Sequence, residues 1–211
     1  MTKNDYIIRL ETKRDYNKTE NLVRESFWNV YRPGCSEHFV LKCLRNDADF
    51  VPQLDFVMEK DGQIIGQIIF VKAAIAKNDG GVLPVLTFGP ICIEKSCQKK
   101  GYGKILLDYA LDKATEMGFG AVFIEGNINF YRHCGLTYAR EYGISYHGLP
   151  DGADDSFFLA KELIKGYLDG ISGVYPTPKG YFAAEENPQE FEQYESRFPI
   201  KEKLKLSGQL G

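Results

Sequence analysis

In the stretch "EKSCQKKGYGK" (94–104), Gln98, Gly101 and Gly103 stand at a spacing that chemistry can use, and Lys99, Lys100 and Lys104 crowd around them. An amphipathic run follows at once. At a helix start the first main-chain N–H groups have no intrahelical partner, and the peptide dipoles favour negative charge. Gly101 and Gly103 carry no Cβ, so an oxygen-rich group can come close to the backbone. The chemistry this suits is the holding of an anion, and a diphosphate fits. Two common phosphate loops are excluded. A Gly-x4-Gly-Lys-Ser/Thr loop needs glycine where Gln98 stands and Ser or Thr where Ile105 stands, and a dinucleotide fingerprint needs a third glycine where Leu106 stands. Taken alone, Gly-x-Gly is equally a softened turn with solvated lysines.

The elements that must position this loop are legible around it. Residues 6–10 read as a short strand. Residues 19–30 (Leu22, Val23, Phe27, Val30) and 36–45 (Phe39, Val40, Leu41, Leu44) carry helical spacing. In "LDFVMEKDGQIIGQIIFVKAAI" two apolar runs meet at Asp61 and Gly62, a hairpin signal, and "KNDGG" (77–81) turns the chain into a third strand over 82–93. These strands form an antiparallel meander. The strongest helix covers 103–117, with Leu106, Leu107, Ala110, Leu111, Ala114 and Met117 in one stripe and Gly118 as its stop. A buried-type strand (121–125), a short helix (129–134) and strands over 137–142 and 157–163 complete an α+β order. One strand–helix–strand crossover (82–125) sits in a mostly antiparallel sheet. Beyond 165 the composition shifts to Gly, Pro and Tyr, then to a mixed-charge tail. The expectation is a core over 1–165 and an extension over 166–211 packed on it, with no second domain.

Composition narrows the classes. The chain of 211 residues is 44% hydrophobic and 26% charged, ordinary for a soluble globular fold. A net charge of −3 creates no field favouring nucleic acid or an anionic membrane. The longest apolar run, 64–76, is broken by Gln67 and Lys72 and cannot span a bilayer. The opening residues lack the apolar core of a secretion signal, so the cytoplasm is the expected location. Five cysteines without a CxxC pair read as reduced thiols, and His38, His133 and His147 are scattered, so no metal site is expected.

The stretch from "FGPICIEKSCQKKGYGK" through "NFYRHCGLTYA" resembles the GCN5-related N-acetyltransferase (GNAT) superfamily. Gln98, Gly101 and Gly103 match its Arg/Gln-x-x-Gly-x-Gly/Ala signature after the fourth strand. Tyr131 and Gly135 match its Tyr-x-x-x-Gly-Phe signature, with Leu136 in the Phe slot. The segment "EGNINFY" resembles a branch of uncharacterised predicted acetyltransferases. The resemblance implies a GNAT fold whose fourth and fifth strands splay apart, with acetyl-CoA as cofactor. The pantetheine arm of the cofactor would lie in the splay against the main chain of Ile91, Cys92 and Ile93, as a missing strand would. Its diphosphate would meet Gln98, Lys99, Lys100, Gly101, Tyr102, Gly103 and Lys104.

In that family the tyrosine at Tyr131 points at the CoA sulfur. A phenol ionises near pH ~10 and a thiol near ~8.5, so full proton transfer to a thiolate is uphill by roughly 2 kcal/mol. Hydrogen-bonding the developing thiolate, with a late proton, suits Tyr131 better than a strong-acid role. Glu94, Glu125, Glu59, His133 and His147 are chemically able to accept the amine proton, and Glu125, at the end of the fifth strand, is best placed. Cys92 has no activating partner and reads as a small buried hydrophobe. Two departures matter: Ile124 stands where many members have Asn, and Asn127 fills a usual Asp slot. Asn129 would then cap the short helix.

The acceptor implied is a primary amine of a small molecule, attacking directly in a ternary complex. The alternatives are a protein or peptide amine, or a CoA-binding regulatory module without turnover. Tyr142, Tyr146, Tyr175, Tyr181 and Phe182, near Asp151, Asp154 and Asp155, would form an acid-lined aromatic pocket for a cation, or pack the extension onto the core. Phe191, Tyr194 and Phe198, at helical spacing in the tail, would seal the site or form a homodimer contact. No nucleic acid or membrane partner is expected.

Overall fold

The computed structural model describes residues 5–150 and 152–209. β1 (Ile7–Leu10) is followed by α1 (Tyr16–Phe27) and α2 (Glu37–Leu44). The meander is β2 (Phe56–Lys60), β3 (Gln63–Lys77) and β4 (Val82–Ile93), with Asp61 and Gly62 both at positive φ in the first tight turn. From β4 the chain runs through α3 (Tyr102–Glu116) into β5 (Ala121–Glu125), which lies parallel to β4. Next come α4 (Ile128–Tyr131), β6 (Thr137–Tyr138), β7 (Ile144–Tyr146) and β8 (Phe158–Glu162). The extension contributes β9 (Gly173–Tyr175), α5 (Ala183–Glu186) and α6 (Pro188–Glu195). The sheet order is β1-β2-β3-β4-β5-β8-β6, with β9 beside β3 and β7.

Helices cover both faces of the sheet, so β3 reads as a continuous apolar run rather than an alternating one. Ile68 and Phe70 point to one face and pack with Leu106, Leu107 and Ala110 of α3. Ile69 and Val71 point to the other and pack with Leu22, Val23, Leu41 and Leu44 of α1 and α2. The α3 stripe is buried as its spacing requires, except for Met117, which lies past the helix end and is 44% exposed.

Three local expectations change. The first helix stops at Phe27, because Asn29 adopts a left-handed φ of 60° and uses its side chain to accept from Gly34 N–H at 2.7 Å. The expected strand over 137–142 is only the two residues of β6, followed by a tight helical turn at Ala139–Tyr142. Local β propensity yields there to packing: Ala139 and Ile144 are both buried in the cluster around Phe123 and Phe158. The cap of the short helix is Asn127, whose Oδ1 accepts from Asn129 N–H at 2.9 Å; the Asn129 side chain caps no helix among the described residues.

The tail rings turn onto α2 of their own chain. Phe191 and Tyr194 lie 5.5 Å and 5.4 Å from Phe39, and Phe198 lies 5.1 Å from His38. Below them Arg24, 1% exposed, reaches Glu195 at 2.5 Å, and Glu195 lies 2.8 Å from His38 Nε2. Cys35 Sγ is 3.6 Å from His38 Nδ1, which gives the order of a thiol–imidazole–carboxylate relay. It is inert as a nucleophile. Burial pushes the Cys35 thiol well up and the imidazole down to about 4, so both are neutral and only a weak S–H donor remains. The cluster fastens α6 to α1 and α2.

A second buried polar cluster lies under α1. Arg45 binds Glu11 at 2.9 Å and Glu20 at 2.7 Å, and Tyr194 donates to Glu20 at 2.6 Å. Asp55, 3% exposed, sits beside it; its Oδ1 and both amide atoms of Gln67 have no hydrogen-bond partner among the described residues. Burial, then the charge of Glu11, pushes the Asp55 carboxyl well above the usual range. A folded value raised above the unfolded one stabilises fully below the unfolded value, near ~4, and that contribution is lost as pH rises through the folded value. Asp55→Asn is therefore expected to leave Tm unchanged at pH ~4 and raise it by roughly 2–4 °C at pH ~8. Parallel melting curves of variant and wild type across that window would refute a neutral Asp55.

Candidate active site

β4 and β5 pair only at Leu86↔Val122 and Thr87↔Phe123. Beyond Thr87 the two strands part, β4 running on to Ile93 and β5 ending at Glu125. Glu94 N–H donates to Ile65 O on the β3 side at 2.7 Å. Main-chain groups alternate sides along a strand, so Cys92 also turns to β3, while Ile91 and Ile93 turn theirs into the gap. Gln98 Nε2 donates to Ile93 O at 2.9 Å, closing the wide end of this edge. Cys92 is thus turned away from the gap in both main chain and side chain. Its thiol, packed under α1 with Leu22 and Val23, is pushed up to about 12 by burial.

The loop between β4 and α3 is built around two left-handed residues, Lys99 at φ 60° and Gly101 at φ 86°. A lysine there costs roughly 1–2 kcal/mol, a strain that functional sites retain. Among the described residues none of the main-chain N–H groups of 99–104 finds an acceptor; the first that does is Ile105, to Gly101 O at 3.1 Å. Gln98 N–H, by contrast, reaches Lys95 O at 3.4 Å, so the open donors begin one residue later than the sequence suggested. Among the described residues nothing lies within 4 Å of where a Cβ on Gly101 would stand. The lysines differ: Lys104 pairs with Asp108 of its own helix, and Lys100 donates to Ser96 O at 2.9 Å. Tyr102 is spoken for by Asp5, to which its hydroxyl donates at 3.0 Å.

Tyr131 stands at the end of α4, which Asn127 caps. Its ring lies 5.8 Å from Phe88 of β4 and 4.9 Å from Phe130. A Cβ on Gly126 would fall 2.5 Å from the Tyr131 ring, so only glycine lets the tyrosine fold back over the chain. Burial drives the phenol well above its ordinary value, and among the described residues its hydroxyl has no hydrogen-bond partner. The group is a protonated donor without an acceptor. Phe130, 56% exposed, bridges Tyr131 to the start of α3, its ring tip 3.5 Å from a Cβ position on Gly103.

Glu125, at the tip of β5, accepts at Oε1 from Thr177 Oγ1 at 2.7 Å and from the Tyr146 hydroxyl at 2.9 Å; those two hydroxyls are 2.7 Å apart. Each hydroxyl carries one proton, so three edges share two donated bonds. The other candidate bases are placed differently. Glu94 caps the turn at Ser96 N–H at 3.0 Å, Glu59 pairs with Arg9 at 3.2 Å on the far strands, and His133 and His147 are exposed. The acid-lined pocket does not form as expected. Asp154 accepts from Ser156 N–H at 2.9 Å, Asp155 pairs with Arg140, Tyr175 is 1% exposed inside the core, and Asp151 lies outside the described residues. Gly126, Phe130 and Thr177 were missed from sequence. A glycine directly before an Asn cap was the one available signal for the first.

Residues 21–136 match the pattern of the acetyltransferase (GNAT) family. An Escherichia coli K12 protein named as an uncharacterized N-acetyltransferase, YhbS, is 23% identical over 168 residues, 80% of this chain and 93% of the relative. The structure of E. coli YhbS in complex with CoA superposes with a TM-score of 0.72 at 24% identity, covering 84% of this chain and 92% of that one. A GNAT acetyltransferase from Brucella melitensis in complex with acetyl-CoA gives 0.65 at 20% identity, covering 83% and 97%. At these identities the likeness is one of fold: the mixed sheet, its parallel β4–β5 pair and the flanking helices. With the family's own pattern spanning more than half its length, this chain belongs to the acetyltransferase (GNAT) family.

Proposed function

We propose that this acetyltransferase moves an acetyl group from acetyl-CoA to a primary amine of a small molecule, by direct attack in a ternary complex. The observation that carries the reading is the row of unpartnered N–H groups over 99–104, opening beside the unpaired edge of β4. A diphosphate satisfies such donors, and among the described residues no atom fills the space at Gly101. Ile91 offers its main-chain groups and Ile93 its N–H for an amide-bearing arm, Ile93 O being held by Gln98, and exposed Phe130 offers an apolar surface beside it. When bound, acetyl-CoA supplies an activated acyl thioester to a neutral amine.

The chain's own residues then have separable tasks. Tyr131 presents a hydroxyl proton toward the gap and holds it there, because burial disfavours the phenolate. Glu125, its carboxylate fixed through Oε1, attracts the acceptor's ammonium at the β5 tip and takes its proton. Lys99, exposed and without an ion pair among the described residues, adds positive charge near the phosphates. No nucleophilic side chain is required, and Cys92 is not available as one. Five free thiols suit a reducing compartment, the cytoplasm; no helix among the described residues is long and apolar enough to cross a membrane.

Calorimetry with CoA, followed by thiol release from acetyl-CoA with a panel of primary amines, tests the reading. Binding, with turnover that Glu125→Gln lowers by about 10-fold or more, supports it. Absence of CoA binding refutes it, and binding without thiol release from any amine leaves a non-catalytic CoA module. Full turnover by Glu125→Gln removes that residue from the proton path.

A further inference from the structure

Thr177 and Tyr181 stand four residues apart in the extension, and each reaches a different arm of the gap between β4 and β5. The Tyr181 hydroxyl donates to Gly89 O at 3.0 Å, just past Thr87, where β4 makes its last pairing with β5. Thr177 Oγ1 lies 2.7 Å from Glu125 Oε1, on the last residue of β5. The segment that leads into them is anchored and stiff. Tyr175 stacks on Phe123 of β5 at 5.8 Å and 20°, and β9 pairs with both β3 and β7. Pro176 and Pro178 flank Thr177, so two of the backbone torsions beside it are held by pyrrolidine rings.

We propose that residues 175–181 form a strut that sets the opening between β4 and β5, with Thr177 and Tyr181 as its positioning residues. The proposal rests on the reading above that this gap receives the pantetheine arm of CoA. Two parallel strands that part company have no ladder bonds to fix their separation, so something outside the pair must do so. Both strut bonds end on groups beyond the last β4–β5 pair, and both come from one rigid segment. An extension placed there is part of the site's frame. It acts on the arm of the cofactor and leaves the cradle at 99–104, on the far side of Ile93, alone.

That division gives the test. The full chain carrying Thr177→Val and Tyr181→Phe, which keep shape and remove both hydroxyls, is titrated by calorimetry with CoA. A second titration uses 3′-phospho-ADP, the nucleotide end of CoA without its pantetheine arm. Loss of two hydrogen bonds is expected to weaken CoA about 10-fold while 3′-phospho-ADP changes by less than about 2-fold. Thr177→Ser, which restores the hydroxyl, is expected to bind CoA as wild type does. Equal weakening of both ligands, or no change in either, overturns the strut. If the double variant does not fold, Thr177→Val alone carries the comparison, with about 3-fold expected for CoA only. A wild-type chain that binds neither ligand overturns the cofactor reading itself, an outcome separate from a wild type that binds both and a variant that matches it.

Discussion

Tyr131→Phe is expected to lower kcat for thiol release about 100-fold while leaving the Kd for CoA within about 2-fold. The phenyl ring keeps its packing on Phe88 and Phe130, so neither the fold nor the gap should notice the change. What disappears is a hydroxyl proton that has no acceptor in the described protein and that burial keeps in place. Because the folded phenol ionises above its ordinary value, the group is protonated and competent through neutral pH, and its activity is lost only as pH rises through that raised value. The wild-type pH profile should accordingly show no tyrosine limb below pH ~10, the ordinary value. In the variant the Tyr131-dependent limb above it vanishes. A variant that retains its kcat at neutral pH would take Tyr131 out of the mechanism, and a variant whose CoA affinity collapses would recast it as packing.

Gly101→Asp is the second large effect, and it is informative beside Gly101→Asn. Both residues tolerate the left-handed conformation better than other side chains, and both meet open space at φ 86°. The backbone cost, roughly 1 kcal/mol, is therefore shared. Only aspartate places a negative charge among the open N–H groups. Repulsion of a single phosphate charge at about 5 Å and an effective dielectric near 20 is worth roughly 3 kcal/mol, so CoA should bind about 100-fold more weakly, or worse, to the aspartate than to the asparagine variant. Added salt should narrow that difference, since the loop is exposed. Equal affinities would mean that the phosphates sit elsewhere and that the row of donors over 99–104 is an ordinary solvated helix start.

Both predictions turn on residues that the sequence singles out, though its reading of their neighbours is incomplete. Gln98 was expected to offer its N–H to the phosphates, yet that N–H is used by Lys95 O and its side chain caps Ile93 O. The resemblance groups Cys92 with Ile91 and Ile93 as main chain for the cofactor's arm, but strand alternation turns Cys92 to the opposite side. Asn127, not Asn129, caps α4, since a cap precedes the first turn and the helix begins one residue earlier than its apolar pattern shows.

The sequence by itself determined the glycine-built helix start, the α3 stripe and the meander. Each depends on residues a few positions apart, where helical or strand periodicity and main-chain chemistry act without help from distant parts of the chain. Only the tertiary structure decided how the extension is used. Glu125 and Thr177 are 52 residues apart in sequence, and Gly89 and Tyr181 are 92 apart. No local pattern encodes such meetings, because they exist only once the helices and β9 have packed and brought the proline-flanked segment across the parted strands. For the same reason Tyr175 and Tyr194 are buried and Phe191 packs half-buried against Phe39: apolar rings near an apolar surface bury against whatever the fold brings first.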